Sequence, residues 1–153
     1  MQLKDTNELI GRVFDDRYEV TGLVGQGGMS TVYKALHRRL DKVVALKVMS
    51  RYVAEDDRQI KRFNQEAKAC SSLQHPNIIR VFDYGQSSDG LLYIAMEFLQ
   101  GRTLADIIHH DGPIEQPRAC RILRQVCHGL GEAHNNKIIH RDLKPENIYL
   151  TDV

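Results

Sequence analysis

Tryptophan is absent from this chain, and only 7% of its 153 residues are aromatic. A core must therefore rest mainly on aliphatic side chains, with a few tyrosines and phenylalanines. Cysteine is also scarce. Cys70, Cys120 and Cys127 are odd in number and not spaced as metal ligands, so neither a disulfide framework nor a zinc site is expected. They read as reduced, semi-buried helix residues. No apolar run is long enough to span a bilayer, and the polar start Met1–Asn7 lacks the apolar stretch of a signal peptide. Charge of one sign is missing too. A net charge of +1 gives no bulk attraction to nucleic acid. With 42% hydrophobic and 27% charged residues, the composition is that of an ordinary water-soluble globular chain. Internal repeats and low-complexity segments are lacking.

What is present divides in two. Residues 1–16 read as a polar lead-in. From Arg17 the pattern turns to β: Tyr18, Val20 and Leu23 lead to glycines 25, 27 and 28. Thr31-Val32-Tyr33 is the expected return strand of a hairpin. Val43–Val48 is a third strand, nearly all apolar, with Lys47 inside it. A helix is predicted over about residues 57–73, with Phe63, Ala67, Cys70 and Leu73 as its apolar stripe, ending at His75-Pro76-Asn77. Residues 78–82 and 91–96 read as two further strands joined by Ser87-Ser88-Asp89-Gly90, a turn in which Gly90 tolerates positive φ. After Gly101 the character becomes helical. Thr103-Leu104-Ala105-Asp106 has capping-box spacing. A long helix is predicted over about 116–135, with Ala119, Leu123, Val126, Leu130 and Ala133 on one face. Two short strands, near 138–139 and 148–150, flank the polar octapeptide His140–Asn147.

Three constellations carry chemistry. Gly25-Gln26-Gly27-Gly28 can let backbone N–H groups approach anionic oxygens, or it can be a plain glycine-rich turn. A dinucleotide-binding fold would need a helix after the glycines, and Thr31-Val32-Tyr33 argues for a strand. Lys47 sits among apolar neighbours. If buried beside an anion it needs a carboxylate partner, for which Glu66 on the next helix is the candidate; otherwise both are solvated surface groups. In His140-Arg141-Asp142-Leu143-Lys144-Pro145-Glu146-Asn147, a carboxylate, an amine and an amide fall within six positions. Taken singly, Asp142 and Asn147 could be turn residues. His140 reads as a packed core histidine, and the remaining histidines show no ligand spacing.

Taken in order and spacing, these segments resemble the protein kinase signature set. The run from Gly25 to Ala35, with Arg62-Phe63-Asn64-Gln65-Glu66-Ala67, looks like the bacterial Hanks-type serine/threonine kinases. Lys144 two residues after Asp142 is the serine/threonine version. The resemblance covers about residues 17–150. It implies an α+β, protein kinase-like fold: a five-stranded antiparallel small lobe with one helix (17–96), a hinge (97–101), and the beginning of a helical large lobe (102–153). It implies ATP and Mg²⁺ as cofactors and protein Ser/Thr hydroxyls as acceptors. Gly25, Gly27 and Gly28 would cover the phosphates, and Val32 and Ala45 would close over the adenine. Lys47 would bind the α- and β-phosphates, steadied by Glu66. Met96 looks like the gatekeeper, and Glu97 and Leu99 would offer hinge backbone groups. Asp142 would orient or deprotonate the substrate hydroxyl, Lys144 would steady the γ-phosphate, and Asn147 would hold one Mg²⁺.

The sequence departs from the family pattern at Ser30, where a third glycine is usual, and at Tyr149, where the adenine floor is usually aliphatic. Asp-Phe-Gly, with its second metal ligand, and the activation segment do not occur within residues 1–153. A fragment inactive by itself is therefore expected, since loss of one preorganised charge-stabilising group costs roughly 10²–10³ in rate. Leu123, Val126 and Leu130 are expected to lack part of their usual cover. The alternative is a non-catalytic module that binds nucleotide or dimerises through its small lobe. A metabolic or antibiotic phosphotransferase is disfavoured, because such enzymes tend to lack the Lys-Pro-Glu insertion. No nucleic-acid partner and no membrane segment are expected in this chain. A cytoplasmic location is expected, with an anchor beyond residue 153 of a longer parent left open.

Overall fold

The computed structural model describes residues 8–151, apart from the side chains of Tyr52 and Val53. Residues 1–7 of the expected lead-in, and residues 152 and 153, lie outside the described residues. The element order is β1 (Val13–Phe14), β2 (Tyr18–Gln26), β3 (Ser30–His37), β4 (Lys42–Met49), α1 (Arg51–Ala54), α2 (Asp57–Ser71), β5 (Val81–Gln86), β6 (Leu92–Glu97), β7 (Gly101–Thr103), α3 (Leu104–Asp111), α4 (Gln116–Asn135), a 3₁₀ turn (Pro145–Asn147) and β8 (Tyr149–Thr151). Two compact units form. One takes the chain up to Ser72 together with Arg80–Phe98, and the other takes Leu73–Ile79 and the chain from Leu99.

The first unit is a six-stranded antiparallel sheet in the order β1-β2-β3-β4-β6-β5. Side chains alternate across it with period two. Tyr33, Ala35, Val44, Leu46, Val48, Tyr93 and Ala95 point to one face and are buried there with Phe14, Tyr18 and Val20. Phe14 and Tyr93 meet edge to face at 5.6 Å. The other face carries Met49, Leu92 and Ile94, against which α2 lays Phe63. Helix α2 starts where Asp56 accepts a hydrogen bond from the Arg58 N–H (2.9 Å), an N-cap that satisfies one orphan donor. Phe63 and Ala67 are its buried stripe and Cys70 is half-buried. Leu73 is buried too, but beyond the helix and in the second unit.

Several expectations shift here. The sheet has six strands rather than five, because Val13 and Phe14 pair with Glu19 and Tyr18. Phe14 is fully buried, so the end of the lead-in belongs to the core; the isolated Val-Phe pair was too short to show period-two alternation. Strand β5 begins at Val81, not residue 78, and runs through the polar Asp83, Tyr84 and Gln86. Pairing with β6 decides that span, whereas Ile78 and Ile79 go with the second unit. The turn at 87–90 forms as expected, with Gly90 at φ +87° and its N–H on the Ser87 carbonyl (2.8 Å).

In the second unit the expected capping box is present. Thr103 Oγ1 accepts from the Asp106 N–H (3.0 Å), and the Asp106 carboxylate accepts from the Thr103 N–H (3.3 Å). Helix α4 spans Gln116–Asn135, with Gly129 and Ala133 buried. Leu123 is 54% exposed, while Val126 and Leu130 are half-buried. Residues 138–139 form no strand and Ile139 is exposed; β8 pairs with β7 instead. Cys120 and Cys127 are exposed rather than semi-buried, because they fall on the flank of α4 away from Ala119, Val126 and Ala133.

Candidate active site

The candidate residues fall into two groups, one in each unit. In the first unit the sheet register gathers four of them. Gly25 pairs with Val32, Val32 with Lys47, and Ala45 with Met96. Cross-strand partners share a face, so Val32, Ala45, Lys47 and Met96 lie together, on the face that carries α2. The hairpin above them is closed by the Gly27 N–H on the Ser30 carbonyl (2.8 Å). A Cβ added at Gly25 or Gly28 would meet nothing within 4 Å. The glycines thus leave bare, exposed backbone there, the arrangement a polyanion needs for close approach.

Lys47 is half-buried and makes no hydrogen bond or ion pair among the described residues. The expected Lys47–Glu66 pair is not formed. Glu66 is 62% exposed, and its Oε1 accepts from Arg62 Nε at 2.9 Å, one turn back on the same helix. The Cys70 thiol registers both charges. Burial pushes its pKa up, Glu66 pushes it further, and Lys47 pulls it back. Glu97 has a local task that the sequence did not reveal. Its N–H donates to the Arg80 carbonyl (2.9 Å) and its carboxylate accepts from the Arg80 N–H (2.7 Å). Any backbone group Glu97 offers a ligand is therefore its carbonyl.

The second unit holds Leu99, half-buried just before β7, and the loop His140–Asn147, which is exposed throughout. Asp142 is the centre of the loop. Its Oδ2 takes Lys144 Nζ at 3.2 Å and Asn147 Nδ2 at 3.1 Å, and the same amide donates to the Asp142 carbonyl at 2.8 Å. Lys144 and then Asn147 hold the Asp142 carboxyl below the usual aspartate range. His140 is exposed rather than packed in a core; its Nδ1 accepts from the Asp142 N–H at 3.3 Å. Arg141 sits at φ +64°, which turns the chain at the base of the loop. The 3₁₀ turn brings Asn147 back over Lys144, with the Asn147 N–H on the Lys144 carbonyl at 2.9 Å.

The loop exit is fastened to the strand that opens the unit. Thr103 pairs with Tyr149, the Leu104 N–H donates to the Ile148 carbonyl (2.7 Å), and the Tyr149 hydroxyl donates to the Gly101 carbonyl (2.9 Å). Tyr149, singled out for its unusual type, thus has a partner that only the folded β7–β8 ladder supplies. As for metal, no group of three His, Cys, Asp or Glu side chains converges among the described residues. Asn147 spends its NH₂ on Asp142, which leaves its carboxamide oxygen and the Asp142 oxygens as hard donors of the kind Mg²⁺ accepts.

The protein kinase domain profile matches residues 18–152, the span that contains both groups. The chain belongs to the protein kinase family. Among curated kinases it is 47% identical over 148 residues to the serine/threonine-protein kinase pkn3 of Myxococcus xanthus, covering 97% of this chain and 27% of that protein. It is 41% identical over 142 residues to the serine/threonine-protein kinase PrkC of Bacillus subtilis, covering 93% of this chain and 22% of that protein. The kinase domain of PknI from Mycobacterium tuberculosis superposes with a TM-score of 0.82 at 33% identity, covering 92% of this chain and 57% of the solved one. The chain is therefore a bacterial Hanks-type kinase sequence over the N-terminal portion of the kinase domain, and it spans about a quarter of the curated relatives' length. The kinase fold explains why six strands and α2 come first and helices follow.

Proposed function

We propose that this sequence is the nucleotide- and catalytic-loop portion of a serine/threonine protein kinase, which moves the γ-phosphoryl group of ATP to a Ser or Thr hydroxyl of a protein. The observation that carries this reading is the loop, where one carboxylate is held between an amine and an amide. An acceptor hydroxyl hydrogen-bonded to Asp142 is aimed at phosphorus. Its oxygen bonds to the γ-phosphorus as the bond to the β-phosphate bridging oxygen breaks. Because Lys144 and Asn147 keep Asp142 ionised and weakly basic, it serves mainly to orient the hydroxyl and to take the proton late. Lys144 offsets charge on the transferring group. Lys47 meets the α- and β-phosphates beneath the Gly25–Gly28 hairpin, and Val32, Ala45, Met96 and Glu97 of the same unit serve the adenine.

Asn147 would hold Mg²⁺, whose chemistry is charge neutralisation on the phosphates. The further acidic ligand belongs to an Asp-Phe-Gly segment, which residues 1–153 do not contain. A polypeptide of these 153 residues accordingly binds nucleotide weakly and transfers no phosphoryl group, whereas a complete kinase domain carrying them does so. The check is incorporation of labelled phosphate into a protein substrate by both forms, each with Asp142→Asn. Transfer by the 153-residue form that Asp142→Asn abolishes would overturn the first half of this expectation. Undiminished transfer by a complete Asp142→Asn domain would overturn the second.

One observation favours a second reading, a nucleotide-binding module without catalysis. Lys47 and Glu66 do not pair with each other among the described residues, Glu66 being bound to Arg62 instead. Binding without transfer in a complete domain would select it, and sedimentation would show whether such a module pairs through its small lobe. No helix among the described residues is long and apolar enough to cross a membrane. A cytoplasmic placement of this portion is proposed because ATP is available there.

A further inference from the structure

Glu66, the carboxylate expected to answer Lys47, is engaged elsewhere. Lys47 lies on β4 between Ala45 and Met49 and pairs with Ile94. Met49 and Ile94 pack on the cluster of Leu92 with Phe63 of α2, three residues before Glu66. Cys70, one turn after Glu66, is within the field of both Glu66 and Lys47. The two charges thus share one neighbourhood without meeting, and Glu66 is instead bound to Arg62 at 2.9 Å.

We propose that Arg62 is a positioning residue that works against the nucleotide site: it draws the Glu66 carboxylate along the surface of α2 and so withholds it from Lys47. The inference rests on the kinase reading of Lys47. Two features set the strength of the hold. Arg62 and Glu66 are 64% and 62% exposed, so solvent weakens their attraction. The cation also precedes the anion by four residues, the less favourable order on a helix. The hold is therefore shallow and readily lost to a competitor of modest strength. Lys47 is that competitor. It is half-buried, its only neighbours in the ladder are apolar, and a phosphate beside it would need its amine fixed in one place. When nucleotide arrives, Glu66 has to leave Arg62 to steady Lys47, and binding is weakened by the cost of that exchange.

The test is calorimetric titration of the chain with Mg-ATP. Arg62→Ala is expected to tighten binding roughly twofold, the scale of an exposed i,i+4 pair. Arg62→Lys keeps the cation and is expected to bind as the parent does. In a Glu66→Ala background Arg62→Ala is expected to gain nothing, because the group it competes for is gone. A residue that only stabilised α2 would lower the unfolding midpoint in both backgrounds and tighten binding in neither. Unchanged or weaker binding by Arg62→Ala, or a gain that survives Glu66→Ala, overturns the proposal. Lys47→Ala separates the two levels. If it binds Mg-ATP as well as the parent, the kinase reading of Lys47 fails and takes the proposal with it. If it binds more weakly while Arg62→Ala is indifferent, the role of Arg62 alone is refuted.

Discussion

Asp142 shows how a fully exposed residue acquires a defined protonation state. Nothing buries it, so its lowered pKa comes from contacts: Lys144 first, then Asn147, with His140 adding a small push in the same direction. A depressed carboxyl favours the native loop above the free aspartate pKa, and that contribution is lost as pH falls through the lower native value. In a carbon-detected NMR titration the Asp142 carboxyl is expected to titrate below 3.8, and Lys144→Met to move it back toward that value. A Lys144→Met midpoint no higher than the parent's would mean the pair does not operate in solution. The motif His140–Asn147 could be read without a structure, because its residue types and spacing resemble the catalytic loop of the protein kinase family. The Nδ1 contact of His140 with the Asp142 N–H could not, since it depends on the turn at Arg141.

Elements differ in how far their own sequence decides them. Helix α4 was legible to the residue, having a proline at its start and twenty residues of helical period. Helix α3 announced itself through Thr103 and Asp106. Strand β8 was expected near residues 148–150, but its partner β7 was not, for it has three residues and exists only by that pairing. Gly101 makes that pairing feasible. Its φ is +141°, and a Cβ there would fall 2.0 Å from the Leu150 carbonyl oxygen. Gly101→Ala is expected to part β7 from β8 at a cost of roughly 2 kcal/mol or more, from strain and a backbone clash together. Urea denaturation measures it, and a loss under 0.5 kcal/mol would show that the ladder simply shifts. In the sheet, β4 carries Leu46, wholly buried in the main cluster. Leu46→Ala should cost about 2–5 kcal/mol, read as a lowered urea midpoint with an unchanged slope. A cost below 1 kcal/mol would mean that the cluster around Leu46 collapses to fill the space.

Across the whole molecule, the tyrosines report on packing. Tyr18 and Tyr93 are buried in the core of the first unit with their hydroxyls on Asp83 and Asp15, and Arg17 reaches both carboxylates. Burial, helped by Asp83, pushes the Tyr18 phenol up to about 12, and burial with Asp15 pushes Tyr93 higher still. A phenol whose native pKa is raised contributes stability that is complete below the unfolded value of 10, and that is lost as pH climbs through the native value. Stability is therefore expected to fall between pH 10 and about 12, with tyrosinate absorbance from these residues appearing only as the fold opens. If all six tyrosines ionised together near pH 10 in the folded chain, that burial would be disproved.

The sequence by itself determined the family, the succession of the sheet strands from Tyr18 to Glu97 around α2, and the long helix α4. These follow from short-range rules: period, capping and turn chemistry, and the fixed spacing of groups around a phosphate. Tertiary structure alone decided that Phe14 closes the core, that β5 begins at Val81, that Tyr149 is tied to Gly101, and that Glu66 faces Arg62 rather than Lys47. Each of the first three rests on partners far apart in the chain. The last is a choice between a neighbour four residues away and a lysine on another strand. Residue spacing shows that both are available to Glu66, and only the placement of α2 against the sheet shows which one it takes.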